Sequence, residues 1–282
     1  MKLLVAGDAR VDAGKTTFAA GLLASLSAAV GFKPRAGNDY WFDHDDIAAA
    51  LSEGRLYGKD IATLTDAAAS GSADRELREE PLNPVHRLWR PTPDRTGLLG
   101  ETGRTFLVDR LTTADGQEFV LNGAAEDAGL VPDSLFDALP LTDVPRVRSV
   151  KGFNDLMAER YLPAFERVTE RIANTDPAVV ESYSDIALPV EGIAFDAVAV
   201  VGPTRARIYG GQRYLNACEV ASGSAREGQL EERVDRVTEM IEPVSTHALA
   251  PLTSDERADP ELIASAYDPI YEALLDAALQ RV

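Results

Sequence analysis

The chain opens with an apolar run, Lys2-Leu3-Leu4-Val5-Ala6, that stops at Gly7. Such a run, closed by glycine, has the signature of a buried strand. After a short loop, Gly14-Lys15-Thr16-Thr17-Phe18 begins a second pattern, in which Phe18, Leu22, Leu23, Leu26 and Val30 recur at helical spacing until Gly31. A strand feeding through a glycine-bearing loop straight into an amphipathic helix constrains the fold strongly. The next parallel strand can be reached only by a helical crossover, which makes the architecture α/β. The loop also has a chemical consequence. Backbone amides of Ala13, Gly14, Lys15, Thr16 and Thr17 would converge at the positive end of the helix, where an anion is held.

Counting back from Lys15 sharpens this to the Walker A pattern, G-x-x-x-x-G-K-[ST]. Gly14, Lys15 and Thr16 fit, and Ala9 stands at the leading position. Lys15 would reach the β- and γ-phosphates, and the Thr16 hydroxyl would sit on Mg²⁺. The expected cofactors are ATP and Mg²⁺. The sequence has no Asn-Lys-x-Asp signature for guanine, which favours adenine.

Alternating strand and helix patterns predict a three-layer α/β P-loop NTPase fold with a mostly parallel sheet, read as one domain over 1–282. Within it, residues 70–103 are rich in proline, glycine and charge and read as an irregular excursion. They lead to Thr105–Thr113, the turn Ala114-Asp115-Gly116 and Gln117–Leu121, a hairpin signature. Residues 71–149 are therefore expected as an inserted β-hairpin region. Further strands are expected at Phe32–Ala36, Ala178–Val180 and Ala197–Val201, with extended chain near His247–Pro251. Helices are expected from Asp46, over 152–173 with a kink at Pro163, over about 227–241, and from Asp268-Pro269 as a cap and first turn.

Composition narrows the function. Asp and Glu number 46 against 28 Lys and Arg, for a net charge of −18, and lysine occurs only at 2, 15, 33, 59 and 151. An acidic, lysine-poor surface suits a salt-rich cytoplasm, where screening removes self-repulsion, and points to a halophilic chain. Nucleic acid and anionic membrane are disfavoured as partners, because both need a positive face. The single Cys218 excludes an internal disulfide, and His44, His86 and His247 show no zinc spacing. With no apolar stretch of membrane length, the protein is expected to be cytoplasmic.

Several segments resemble dethiobiotin synthetase and the related cobyrinate-synthase and partition-type ATPases, and the chain is similar to archaeal P-loop ATPases of that branch. The synthetase loop G-x-D-x-x-V-G-K-T is near Gly7-Asp8-Ala9-Arg10-Val11-Asp12-Ala13-Gly14-Lys15-Thr16. The family's K-P-V-A-S-G corresponds to Lys33-Pro34-Arg35-Ala36-Gly37, and Val179-Val180-Glu181-Ser182-Tyr183 occupies the place of its V-E-G-A-G-G, with Ser182, Tyr183 and Ser184 replacing the glycines after the carboxylate. Asp45 and Asp46 precede an apolar helix, as an aspartate does in the family. The resemblance implies that Thr16, Asp45 or Asp46, and Glu181 surround Mg²⁺, while Lys15 and Lys33 bracket the transferring phosphate as catalytic cations. It implies an ATP hydrolase or ATP-dependent synthetase acting on a small-molecule substrate. The alternative it implies is a nucleotide-switched homodimer in which Arg10 acts in trans.

Smaller signals remain. Asn38–Asp46 combines three aromatics with four aspartates and could shape a substrate pocket or an acidic surface loop, in which His44 could be a base or simply solvated. Arg87, Arg90, Arg95 and Arg104 crowd the insertion and could hold an anion or pair with nearby carboxylates. Gly202-Pro203-Thr204 follows a strand and could face the base or ribose. Asp185 is the second candidate for the strand-end acid.

Overall fold

The structure, a computed structural model, describes residues 1–9, 13–70, 78–221 and 232–280. Its strands are β1 (Lys2–Gly7), β2 (Val30–Phe32), β3 (Arg35–Asp39), β4 (Val85–Thr96), β5 (Thr102–Thr112), β6 (Gln117–Asn122), β7 (Arg146–Val147), β8 (Ala178–Glu181), β9 (Ala197–Gly202), β10 (Arg205–Gly210) and β11 (Ser245–Ala248). The helices are α1 (Lys15–Ser25), α2 (His44–Ser52), α3 (Lys59–Ser70), α4 (Glu79–Leu82), α5 (Gly123–Asp127), α6 (Asp133–Ala138), α7 (Val150–Leu156), α8 (Leu162–Ala173), α9 (Gly211–Ala221), α10 (Val234–Thr238), α11 (Ser254–Arg257) and α12 (Pro260–Gln280). The chain divides into two compact units. One comprises Met1–Pro34, Thr63–Arg78 and Thr169–Val282, the other Arg35–Ala62 and Glu79–Val168. The second therefore takes in most of 71–149 and extends beyond it on both sides. No described helix is long and apolar enough to cross a membrane.

The first unit holds a mixed sheet in the order β11-β10-β9-β1-β8-β2. Strands β2, β8, β1 and β9 run parallel, and β10 and β11 add an antiparallel edge. Leu3–Gly7, all of β8 and all of β9 are buried, as expected of central parallel strands whose two faces are both covered. After β1 the chain turns to one side for β2 and β8, then crosses to the other for β9. Ligands of open α/β sheets bind at the carboxyl ends of strands at such a switch point. Helix α1 packs on β1 and β8 and against α12. Gly21 makes this close approach possible: a Cβ there would lie 2.5 Å from both Ile263 Cγ2 and the Tyr271 hydroxyl oxygen. That hydroxyl donates to the Phe18 carbonyl at 2.9 Å.

The second unit holds a sheet in the order β3-β4-β5-β6-β7, with β4-β5-β6 antiparallel and β3 and β7 parallel to their neighbours. Successive residues of β6 alternate between two cores. Phe119 and Leu121 join Ile47, Leu88 and Leu135, while Val120 joins Trp89, Phe153 and Tyr161. Both faces of this sheet are therefore covered. Arg87 forks onto Asp109 at 2.7 and 2.6 Å, and the Tyr161 hydroxyl donates to the same carboxylate.

Four sequence expectations need correction. Phe32–Ala36 is not one strand: β2 ends at Phe32, and β3 begins at Arg35 in the other sheet, on either side of Lys33-Pro34. Residues 85–96 are not irregular but form a long strand despite Pro91 and Pro93. Strand β4 pairs with β3 only as far as Trp89, so both prolines lie where that edge is unpaired and no donor is required of them. The expected helix start at Asp268-Pro269 lies inside α12, which runs on to Gln280. Pro269 and Ser265, whose carbonyl it would otherwise bond, are both exposed, so water can serve that carbonyl. The 152–173 segment is interrupted near Pro163 as expected, by a π-helical turn at Met157–Tyr161 that precedes α8. Of the helix expected at 227–241, only Val234–Thr238 is helical among the described residues, and 227–231 lie outside them.

Candidate functional site

The register of the first sheet assembles the site. Leu4 pairs with Val180 and Val5 with Glu181, while Phe32 pairs with Val180. Lys33, one residue beyond Phe32, is thereby carried to the level of Glu181 at the carboxyl end of β8. Both are almost wholly inaccessible, and Lys33 Nζ donates to Glu181 Oε1 at 2.7 Å. The same oxygen accepts the Thr16 hydroxyl at 2.8 Å. One carboxylate oxygen thus joins the strand-end acid, the loop threonine and the second lysine.

The loop delivers Thr16 through a left-handed residue. Gly14 has φ +80° and is exposed, a conformation that favours glycine. It serves as the N-cap of α1 without a side chain to satisfy first-turn amides, and no acidic residue lies in that turn. The positive end of α1 is therefore neither capped by Gly14 nor neutralised by a first-turn carboxylate. Ala13 is buried beneath it, whereas Thr16 and Thr17 are half-buried.

Lys15 folds back across the end of β1. Its Nζ donates to the Ser184 carbonyl at 2.8 Å, and a Cβ on Gly7 would lie 2.7 Å from that nitrogen. Gly7 is thus the residue that admits the lysine stem. Ser184 takes φ +55° at the place where the resembled synthetase pattern has glycine. Around it, Ser182 donates to the Ile186 carbonyl, and Arg233 pairs with Asp185. Asp185 is thus engaged by an arginine, and Glu181 is the acid that meets the loop.

Asp45 and Asp46 belong to the other unit, in the first turn of α2, where they complement the helix dipole. Among the described residues, no group of three or more His, Cys, Asp and Glu side chains is placed to hold a metal ion. Arg10 lies outside the described residues. Gly202-Pro203-Thr204 forms the tight connection between β9 and β10, with Thr204 at φ +67°.

One part of the site was not anticipated. Asp8, directly after β1, accepts Arg205 Nη2 at 2.7 Å and Arg207 Nη2 at 2.8 Å from β10. Gly202 packs against it, since a Cβ there would come 2.9 Å from Asp8 Cβ. The signal was present as the alternation Arg205-Ala206-Arg207, which puts both arginines on one face of a strand. Compared with known proteins, the chain matches no family model and no curated protein.

Proposed function

We propose that the protein is a P-loop ATPase of the cytoplasm, binding Mg²⁺-ATP and passing the γ-phosphoryl to a small carboxylate or to water. The observation that carries this reading is the convergence of Thr16 and Lys33 on Glu181 at the mouth of a glycine loop whose lysine also points to the end of β8. Lys15 folds back over the end of β1 to the Ser184 carbonyl, and Lys33, just past the edge strand β2, is held by Glu181 at the carboxyl end of β8.

The residues divide the work. Amides of Ala13 to Thr17 surround the phosphate oxygens, and Lys15 supplies cationic charge as P–O cleavage puts negative charge on the leaving oxygen of ADP. The Thr16 hydroxyl gives its proton to Glu181, so its lone pairs point away from that carboxylate and suit a hard cation. Mg²⁺, when bound, neutralises charge on the β- and γ-phosphate oxygens. Glu181 acts through the threonine rather than by direct contact, because it is wholly buried. Lys33 is the second cation at that end of the sheet, fixed by the same carboxylate.

Titration with Mg²⁺-ATP in high-salt buffer tests the assignment. Wild type should bind saturably, and Lys15→Ala should bind at least about tenfold more weakly, the loss of a charge-assisted contact. Equal affinities would remove the phosphate-loop reading.

A further inference from the structure

The second unit carries a cavity of about 450 Å³ within the size range of small-molecule sites. One wall is the aromatic run Tyr40-Trp41-Phe42, and the other is Arg90-Pro91 of β4 with Val131-Pro132 before α6. Trp41 and Phe42 are 74% and 78% exposed, the largest aromatic exposure in the molecule among the described residues. Folding gains almost nothing from two rings left in water, yet the backbone that presents them is tightly fixed. The amides of Trp41 and Phe42 both donate to Asp39 Oδ1, at 2.9 and 3.2 Å. Asp43 closes the turn from the other end: its Oδ2 accepts the Asp39 amide at 2.7 Å, and its own amide donates to the Asp39 carbonyl at 2.9 Å. Tyr40 is held by the Trp89 carbonyl at 2.7 Å and by its hydroxyl contact with Ser134 at 3.1 Å. The aromatics are thus preorganised for a contact that folding itself does not use.

The opposite wall supplies one charge. Arg90 is half-buried, and its Nη1 donates to the Leu130 carbonyl, which fixes the guanidinium between β4 and the loop before α6. Among the described residues, no carboxylate pairs with it. That contrasts with Arg55, Arg87, Arg146, Arg148, Arg160, Arg205, Arg207 and Arg233, each of which is salt-bridged. The acidic residues of the aromatic run do not line the cavity: Asp39 and Asp43 are spent on the turn, and Asp45 and Asp46 lie in α2. Among the described residues, Arg90 is the only charged one that lines the cavity.

We infer that this cavity is a binding site for a small planar organic acid, its ring against Trp41 and Phe42 and its carboxylate on Arg90. Apolar rings against Pro91 and Pro132 and a guanidinium fork facing an oxyanion are the matching chemistry. Every described residue that lines it belongs to the second unit.

Calorimetric titration of the full chain in high-salt buffer with benzoate, salicylate, indole-3-acetate and 2-naphthoate, each beside its neutral amide, tests the inference. At least one acid should bind saturably, and its amide about tenfold more weakly, as the loss of a charged hydrogen-bond partner requires. Arg90→Gln should abolish the difference between acid and amide while leaving amide binding unchanged, which also reports that the variant is folded. Trp41→Ala should weaken both. Absence of saturable binding across the panel, or equal binding of acid and amide by wild type, would overturn the proposal. So would a self-association in the unliganded protein that disappears in Trp41→Ala, which would make the aromatic wall an interface.

Discussion

At the residue scale, Glu181 ties the loop to the second lysine. It is wholly buried, and its Oε1 serves both Thr16 and Lys33. Breaking a buried ion pair from one side strands a charge, so Glu181→Gln should lower stability by about 3 kcal/mol. The double variant Glu181→Gln with Lys33→Met should recover much of that loss, because no buried charge is then left alone. Denaturant unfolding of the two variants checks this, and an unaltered midpoint for Glu181→Gln would contradict the buried pair. Lys15 and Thr16 were legible because they open a helical repeat behind an apolar run, and Glu181 because it ends one; Lys33 stood inside an expected strand and was pointed to only by the resemblance of Lys33-Pro34 to the synthetase pattern. Asp8 was harder to read: the alternation Arg205-Ala206-Arg207 hints at a strand face, but only the pairing of β10 with β9 brings that face to Asp8. Ser184 was read as a departure from glycine, yet it adopts the left-handed conformation that glycine would supply.

At the element scale, tertiary packing explains where local signals failed. Prolines at 91, 93 and 269 were read as breaks, but each lies where a missing donor is harmless. Across Pro269, the stripe Ile263, Tyr267, Ile270, Tyr271 and Leu274 stays buried, and its packing outweighs the lost helical bond. By contrast, β1, α1, β8, β9 and the β5–β6 hairpin were legible, because an apolar run, a helical repeat and an Asp-Gly turn are strong local signals. The α1–α12 contact yields a prediction. Gly21→Ala places a methyl 2.5 Å from Ile263 and Tyr271, which overpacks the contact and should cost about 1–3 kcal/mol. Thermal unfolding checks it, and a variant as stable as wild type would mean that the two helices can separate without loss.

At the scale of the whole molecule, two features govern behaviour: two units, each with its own mixed sheet, and a net charge of −18. The sequence suggested one domain with an insertion because the break at Lys33-Pro34, where the chain leaves the first sheet for the second, carries no glycine or low-complexity linker. Self-repulsion at this net charge is screened by salt. Raising KCl from about 0.1 M to about 2 M should raise the unfolding midpoint by about 5 °C or more. A midpoint that is flat or falls with salt would contradict an acidic surface adapted to salt. Calorimetric titration of Mg²⁺-ATP into wild type and Lys15→Ala under that high salt asks whether the loop of the first unit holds the phosphates of ATP. Wild type should bind saturably and the variant about tenfold or more weakly; the same affinity for both, or no binding by either, would mean that the loop does not hold those phosphates.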